Sequence, residues 1–205
     1  MPTALITGAS SGLGVDFSHH FAQGGHDVVL LARSKDKLES LAAELQEKYS
    51  IKAHVLVKDL SVKADLDSIF PELKAQGVEI EFLVNHAGFG HHAPFAELPW
   101  KDHQDLMRVN MEALSKELEG TGVTILCPGP TQTAFFDKAG MNTLRLLKSG
   151  QMQSSKEVAA FGYRKMMQGK RTVISGTMNK IGAFVSQLAP KSLVLSAIQA
   201  LHKST

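Results

Sequence analysis

The sequence predicts an α/β fold with a doubly wound parallel sheet. Short apolar runs alternate along the chain with stretches of helical periodicity, and no internal repeat or low-complexity linker separates them. The chain has 205 residues, of which 43% are hydrophobic and 20% charged, so it is long enough to bury one full core. We therefore expect a single domain over residues 1–205, with its ligand at the carboxyl ends of the strands.

The first predicted strand, residues 3–6, runs directly into a glycine-rich turn. The turn reads Thr7-Gly8-Ala9-Ser10-Ser11-Gly12-Leu13-Gly14. A buried strand that breaks into such a loop and continues as a helix aims backbone N–H groups, and the positive end of the helix, at a phosphate. A helix over residues 15–24, a closing Gly25 and a second apolar strand over residues 26–32 complete a βαβ unit. This context favours a dinucleotide site over a turn whose glycines serve only packing.

The elements that follow keep the same alternation. They are a helix over residues 35–49, a strand over 52–58, a helix over 62–76 and a strand over 80–84. Later in the chain we expect a strand over 123–127, a capped helix over 155–167 and an edge strand over 170–174 that completes the sheet. Parallel strands joined by such crossovers need helices on both faces of the sheet.

The residues after the second strand indicate which dinucleotide fits. An acidic side chain about 20 residues past the glycines binds a ribose 2′-hydroxyl, whereas an arginine there suits a 2′-phosphate. Here the chain reads Ala32-Arg33-Ser34, without an acid. Arg33 therefore favours NADP over NAD. The alternative is a solvated arginine that opens the next helix.

Composition and charge restrict the kinds of partner and ligand that the protein can have. The net charge is +2 without a basic cluster, which argues against nucleic acid, because neutralising phosphates needs several clustered Lys or Arg residues. The single Cys127 forms no internal disulfide, and the nine histidines lack the spacing of metal ligands. No run approaches the roughly 18 to 20 apolar residues of a membrane span, and no secretory signal opens the chain. We expect a cytoplasmic protein with a small-molecule substrate and no metal.

Five motifs, in order along the chain, resemble those of one family. They are the glycine-rich turn, Asp59-Leu60-Ser61, Asn85-His86-Ala87-Gly88, Val109-Asn110 and Cys127-Pro128-Gly129-Pro130-Thr131-Gln132-Thr133. Together they resemble the short-chain dehydrogenase/reductase family, which has the Rossmann fold, and in particular its DltE-like branch with 3-oxoacyl and hydroxysteroid reductases. The resemblance covers nearly the whole chain. It implies an NADP-dependent oxidoreductase that transfers a hydride between the cofactor and a carbonyl or alcohol substrate.

The resemblance also implies which residues form the site. The glycine-rich turn would wrap the pyrophosphate and adenosine ribose, and the Asp59 motif would border the adenine. The Asn85 motif would line the ribose side, the Pro128 motif would close over the nicotinamide carboxamide, and Asn110 would anchor a water in the catalytic proton relay. With Arg33 included, the cofactor-binding residues are Thr7, Gly8, Ser10, Ser11, Gly12, Leu13, Gly14, Arg33, Asp59, Leu60, Asn85, Ala87, Gly88, Pro128, Gly129, Thr131 and Thr133. His86 stands where the family has a second asparagine, whose side chain ties neighbouring strands together.

The chain departs from the family between Asn110 and Pro128, where only 17 residues intervene. In the family this interval holds a central strand that ends in the catalytic Ser and a helix that carries Tyr-x-x-x-Lys, so about fifty residues are missing here. The join falls between Met111 and Lys116. Either the deletion is real, and the strand over 123–127 moves into the vacancy, or the sequence omits residues that the protein has. A real deletion implies the alternative function, a non-catalytic dinucleotide binder or an inactive deletion form.

Neither tyrosine of the chain replaces the missing acid. A tyrosine and a lysine four residues apart share one helix face, which lets the ammonium depress the pKa of the phenol. Tyr49 is followed by Lys52 at three residues and Tyr163 by Lys165 at two. We expect both tyrosines to serve packing or the surface.

The C-terminal third of the chain is rich in apolar residues. Residues 134–152 correspond to the family's substrate lid, and Phe135, Phe136, Leu144 and Leu147 fit either a pocket for an apolar substrate or ordinary core packing. The amphipathic tail, residues 180–205, fits a membrane surface, a second subunit or the domain itself. Because its basic residues are few, we expect it to lie on the domain or within a homo-oligomer.

Overall fold

The computed structural model describes residues 1–89, 97–107, 109, 124–129, 131–133, 135 and 152–188, with side chains up to Val185. These residues belong to two compact units, Met1–Thr121 and Gly122–Thr205. The single-domain organisation stays a prediction.

In the first unit, the described strands alternate with helices. The strands are β1 (Thr3–Thr7), β2 (Asp27–Ala32), β3 (Ala53–Val57) and β4 (Phe82–Val84). The helices are α1 (Leu13–Gln23), α2 (Lys35–Tyr49), α3 (Lys63–Ala75) and α4 (Trp100–Met107). Helix α2 has the predicted bounds, and α1 begins two residues earlier than predicted, inside the glycine-rich turn.

The four strands form one parallel sheet in the order β3-β2-β1-β4. Leu5 of β1 lies opposite Val29 of β2 on one side and Leu83 of β4 on the other. The chain builds outward from β1 to β3 and then returns to the other side of β1 for β4. The predicted α/β class with a parallel sheet is confirmed, and the point where strand order reverses lies between β1 and β4, where such folds bind ligands.

Apolar side chains on one face of this sheet pack against α3. Leu5 and Val29 belong to the same buried cluster as Leu66, Ile69 and Leu73, and none of the five is more than 7% exposed. The three helix residues follow the spacing of an amphipathic helix. Burying one such side chain contributes about 1.5 to 3 kcal/mol, so this layer holds the strand ends that carry the site in place.

Strands β3 and β4 are shorter than the sequence predicts, and a carboxylate lies at the start of each. The Glu81 carboxylate accepts the Thr3 N–H at 2.5 Å, and the Glu81 N–H donates to the Thr3 carbonyl at 3.0 Å. The Asp27 carboxylate accepts the Lys52 N–H at 2.7 Å. In each case a carboxylate accepts a backbone N–H group that a longer strand pair would use, so the strand pairing does not extend to these residues.

The second unit contains two short parallel pairs and two helices among its described residues. Strand β5 (Ile125–Cys127) pairs with β8 (Thr172–Ile174), and β6 (Thr131–Gln132) pairs with β7 (Gln153–Ser154). Helix α5 (Ser155–Met167) has the predicted bounds, and α6 (Thr177–Leu188) follows β8.

The prediction that residues 170–174 complete the main sheet is wrong for the described residues. Strand β8 pairs with β5 in a two-stranded sheet of its own. The physical reason lies in the sequence between Asn110 and Pro128, which is too short to supply the central strand that the family places between these two parts of the sheet. Within the described part of the chain, none of the helices is long and apolar enough to cross a membrane.

Candidate functional site

The glycine-rich turn forms a cradle at the carboxyl end of β1. Gly8 and Gly12 have φ values of +69° and +57°, a backbone conformation that side chains other than glycine rarely adopt. A Cβ on Gly14 would overlap the Gly8 carbonyl, so the first turn of α1 lies directly against the end of β1. The N-cap residue of helix α1, Gly12, supplies no side-chain hydrogen bond, so the positive end of the helix is left for a ligand.

Thr7 joins this cradle to the segment that follows β4. Its hydroxyl donates to Asn85 Oδ1 at 3.1 Å and accepts the backbone N–H groups of His86 at 3.0 Å and Ala87 at 2.9 Å. A Cβ on Gly8 would lie 3.1 Å from both the N and Cα atoms of Ala87. The two loops are therefore in close contact on either side of the switch point.

One buried polar atom of this contact lacks a partner. Asn85 Nδ2 is inaccessible to solvent and, among the residues that the structure describes, finds no hydrogen-bond acceptor. Leaving a buried amide donor unpaired costs about 1 to 3 kcal/mol, so such atoms are rare outside functional sites. The donor lies on the loop that contacts the glycine cradle, where a ligand hydroxyl would satisfy it.

His86 contributes its backbone rather than its ring to this contact. Burial lowers the pKa of the imidazole, which favours the neutral ring. The backbone N–H groups of His86 and Ala87, held by the Thr7 hydroxyl, tie β1 to the end of β4. The link that the family makes with an asparagine side chain therefore has a backbone counterpart here.

Arg33 and Asp59, which follow β2 and β3, meet at the same edge of the sheet. Arg33 Nη1 lies 3.8 Å from Asp59 Oδ2, while 77% of the arginine side chain stays exposed. The Asp59 carboxylate also accepts the N–H and the hydroxyl of Ser61 at 2.9 and 2.8 Å. Burial raises the pKa of the Asp59 carboxyl, but the Ser61 hydrogen bonds and the Arg33 charge outweigh it and hold the pKa below its usual value of 3.8. The pair places a cation and an anion at the edge where an adenosine ribose is expected.

In the second unit, the loop that contains Gly129 is held by a polar network. The Thr131 hydroxyl donates to the Gly129 carbonyl at 2.8 Å, and a Cβ on Gly129 would overlap the Asn179 side chain of α6. Asn179 Nδ2 donates to the Ser175 carbonyl at 2.7 Å, and the buried Ser175 hydroxyl donates to Gln153 Oε1 at 2.7 Å. Gln153, Ser175 and Asn179 are not among the site residues that the sequence predicts. The Ser-Gly sequence that precedes α6 is the one local signal for them.

In the first unit, the structure brings the glycine-rich turn into contact with residues 85–87 and Arg33 into an ion pair with Asp59, while Leu60 is 5% exposed within the buried apolar cluster. The role of these residues in cofactor binding stays a prediction. Those predicted in the second unit lie between β5 and the residue after β6, with Pro128 exposed and the Thr133 hydroxyl accepting the Phe135 N–H at 3.4 Å. The predicted catalytic residue Asn110 lies outside the described residues, as do Phe136, Leu144 and Leu147 of the predicted lid. Phe135 of the lid is described and is 42% exposed.

Neither tyrosine has the environment of a poised acid. The Tyr49 hydroxyl lies 3.4 Å from His19 Nδ1 on α1, and Lys48 Nζ lies 5.3 Å from the centre of the Tyr49 ring. Burial raises the pKa of Tyr163, whereas a catalytic phenol needs a lowered one. Among the described residues, no group of three or more His, Cys, Asp or Glu side chains is placed to hold a metal ion.

Comparison with known proteins points to one family. The model of the short chain dehydrogenase family matches residues 2–116, which is more than half of the chain. The match stops at the last residue of the interval in which the sequence places the join.

Curated relatives and solved structures agree with that family. The very-long-chain 3-oxoacyl-CoA reductase of Pyrenophora tritici-repentis is 27% identical over 207 residues, which cover 98% of this chain and 58% of the relative. The enzyme of the same name from Aspergillus fumigatus is 37% identical over 111 residues, covering 52% of this chain and 32% of the relative. A short-chain dehydrogenase from Sphingobium yanoikuyae, solved in complex with NADPH, has a TM-score of 0.79 at 22% identity and covers 95% of both chains. The chain spans less than two thirds of the length of these two curated relatives, and the structural likeness shows a common fold.

Proposed function

Because the chain belongs to the short chain dehydrogenase family, we propose that it binds NADP(H) at the carboxyl end of β1. The proposed reaction of the complete site is hydride transfer between NADP(H) and a carbonyl or alcohol substrate. The observation that carries the proposal is the cradle itself. Gly8 and Gly12 adopt glycine conformations, Gly14 leaves no room for a Cβ, and the open end of α1 follows directly.

The residues of the first unit fit the parts of a dinucleotide. Backbone N–H groups of the glycine-rich turn would hold the pyrophosphate, and Asn85 Nδ2 would donate to a ribose hydroxyl, which gives the unpaired donor its acceptor. Asp59 and Leu60 would border the adenine. Thr7 fixes the distance between the two loops that form this surface. In the second unit, Pro128, Gly129, Thr131 and Thr133 would contact the nicotinamide carboxamide.

Arg33 supports NADP as the preferred cofactor. Its side chain is 77% exposed although Nη1 lies 3.8 Å from Asp59 Oδ2 in an ion pair. The solvent-facing N–H groups of the guanidinium would form charge-assisted hydrogen bonds with a 2′-phosphate. The Sphingobium yanoikuyae neighbour was solved with NADPH. An NAD preference would instead need an acid at this position to accept the 2′-hydroxyl.

Carbonyl reduction also requires a proton donor. When bound, NADPH supplies the hydride, and in the family a lysine-tuned tyrosine supplies the proton, with Asn110 as the proposed anchor of a relay water. The 205 residues contain no Tyr-x-x-x-Lys sequence, and the environments of Tyr49 and Tyr163 do not fit the role. This observation favours a second candidate for the chain as it stands, NADP(H) binding without turnover.

The substrate proposed for the complete site is an apolar carbonyl compound. The curated relatives are named as very-long-chain 3-oxoacyl-CoA reductases, and Phe135 of the proposed lid exposes 42% of its surface. A location in the cytoplasm and a homo-oligomeric state are part of the same proposal.

The test combines NADPH titration with an intact-mass measurement of the purified protein. We expect NADPH to bind and NADH to bind more weakly. Arg33→Ala should weaken NADPH binding about tenfold and leave NADH binding nearly unchanged. The charge-assisted hydrogen bond that Arg33 would form needs the 2′-phosphate, which NADPH carries and NADH lacks. Gly14→Ala should abolish binding, whereas Gly182→Ala, where a Cβ meets open space, should preserve it. Equal binding of NADPH by wild type and Gly14→Ala would refute the proposed site.

Turnover separates the two candidate functions. A chain with the mass of 22.2 kDa should bind NADPH without oxidising it in the presence of an apolar ketone. A mass several kilodaltons higher, together with turnover, would show that the protein contains the missing segment and would support the reductase function. Turnover at 22.2 kDa that survives replacement of both tyrosines by Phe would contradict the need for the family's acid.

A further inference from the structure

Helix α6 carries a stripe of large apolar side chains that face outward. The stripe consists of Met178, Ile181, Phe184 and Val185, which are 66%, 50%, 65% and 52% exposed. Their spacing places all four on one side of the helix. Soluble surfaces normally expose large apolar residues singly, so a stripe of four on one helix indicates a docking surface.

The opposite side of α6 is fixed to the second unit. Asn179 donates to the Ser175 carbonyl at 2.7 Å, and its side chain fills the space that a Cβ on Gly129 would need. Turning the stripe inward would break this hydrogen bond and empty this space. The outward direction of the stripe therefore follows from how the helix is attached.

The stripe lies in a part of the chain with one-sided charge. After Glu157 the sequence contains seven Lys or Arg residues and no Asp or Glu. Four of the basic residues, Arg164, Lys170, Arg171 and Lys180, are exposed, and within the described ranges none forms an ion pair with a carboxylate. The net charge of the whole chain is only +2, because acidic residues before residue 158 offset the positive charge of this segment.

Lys180 links the charge to the stripe. It lies on α6 one residue before Ile181, and its Nζ is 5.9 Å from the centre of the Phe161 ring of α5. A long side chain at the edge of an apolar face keeps its stem on that face and its ammonium at the level of lipid headgroups.

We propose that α6 docks through this stripe on an anionic lipid surface. This departs from the sequence-based expectation that residues 180–205 lie on the domain or in a homo-oligomer because their basic residues are few, since residues 158–205 together carry seven basic residues and no acidic one. A helix with large apolar residues on one face and uncompensated positive charge around it lies in the boundary between headgroups and acyl chains. The four apolar side chains would enter the acyl region, while Lys180 would meet lipid phosphates. The proposal goes beyond the cofactor site and is measurable whether or not the chain has enzymatic activity.

A second copy of the chain fits this face less well than a bilayer does. A two-fold interface would set each stripe against its own image and bring the basic residues of both copies together. The segment after Glu157 offers no carboxylate to neutralise them, and like charges at an interface are costly. An anionic bilayer supplies both the apolar layer and the opposite charge.

Vesicle flotation of the full chain tests the proposal. Phosphatidylcholine vesicles with about 30 mol% phosphatidylglycerol should bind the protein, and pure phosphatidylcholine vesicles should bind it much less. Phe184→Ser should weaken binding at least about tenfold, because the largest apolar contact is lost. Lys180→Gln should weaken binding to the anionic vesicles about fivefold, and high salt should have a similar effect.

Trp100→Ser is the matched control, because Trp100 is also a large apolar residue that is 65% exposed but lies in the first unit. It should leave vesicle binding unchanged, and circular dichroism should show that all variants are folded. Binding that is equal for Phe184→Ser and Trp100→Ser would overturn the proposal, as would equal binding to neutral and anionic vesicles. If light scattering shows a dimer that Phe184→Ser converts to monomer, while wild type ignores vesicles, the occupant is a second copy and the lipid proposal fails.

Discussion

The Thr7 hydroxyl forms three hydrogen bonds, one donated and two accepted, and all three are with residues 85–87. The group donates once, to Asn85 Oδ1, and accepts twice, from the N–H groups of His86 and Ala87. Thr7 is 5% exposed, so water does not compete for these bonds. The spacing between the glycine cradle and the loop after β4 is therefore set by a single oxygen atom.

Thr7→Val should be strongly destabilising although it keeps the shape of the side chain. The change removes the hydroxyl and leaves two N–H donors without their acceptor, each of which costs about 1 to 3 kcal/mol when buried. We expect a loss of about 3 kcal/mol in the free energy of unfolding, measured by urea denaturation. Thr7→Ser keeps the hydroxyl and is the control, with an expected loss below about 1.5 kcal/mol for the missing methyl. Equal losses for the two variants would mean that packing of the methyl, rather than the hydroxyl, holds the loops.

Helix α5 begins with a complete capping box. The Ser154 hydroxyl accepts the Glu157 N–H at 3.3 Å, and the Glu157 carboxylate accepts the Ser154 N–H at 3.2 Å and its hydroxyl at 2.8 Å. The last turn carries Arg164 and Lys165, which suit the negative end of the helix. The start and end of this helix are therefore encoded locally.

Ser154→Ala should cost about 1 kcal/mol of stability, the usual value of an N-cap side chain. Hydrogen exchange should show faster opening of the first turn of α5, with little change in the first unit. Ser155→Ala is the control, since that residue lies one position inside the helix and does not cap it. An unchanged exchange rate in Ser154→Ala would show that packing of Val158 and Ala159, both fully buried, holds the turn without the cap.

The elements that the sequence predicts best are those whose limits are written locally. Helices α2 and α5 begin and end where periodicity and turn residues place them. The sequence predicts the starts of β3 and β4 less well. The Asp27 carboxylate accepts the Lys52 N–H and the Glu81 carboxylate accepts the Thr3 N–H, and each pair is distant in sequence. Hydropathy does not record which side chain lies at the end of a neighbouring strand.

The same division applies to the candidate site. The glycine cradle is visible in the sequence, because side chains other than glycine rarely adopt the positive φ of Gly8 and Gly12, and a Cβ at Gly14 would overlap the Gly8 carbonyl. The polar network behind Gly129 was not predicted, since Asn179 reaches it from a helix that begins well after the loop. Ser, Asn and Gln serve many purposes in turns and caps, and only their positions in space reveal a network.

At the scale of the molecule, cofactor binding and stability should be linked. A ligand at 100 times its dissociation constant stabilises the state that binds it by about 2.7 kcal/mol. We expect NADPH to raise the melting temperature and to slow hydrogen exchange at residues 8–14 and 85–88, with no change along α5. Protection of α5 without protection of the glycine-rich turn would place the ligand elsewhere.

The carboxylates of Glu81 and Asp27 also bear on how the first unit finds its pairing. A strand that slipped by one residue would turn its buried side chains outward, and a slip by two would restore the pattern while misplacing the loops. Each carboxylate forms its backbone hydrogen bond in one alignment only, Glu81 with Thr3 and Asp27 with Lys52. The alignment of β1 with β4 and of β2 with β3 is thus marked within residues 3–84. A deletion between Asn110 and Pro128 would leave both of these hydrogen bonds in place. The interactions that select the strand pairing of the first unit therefore lie within the first unit itself.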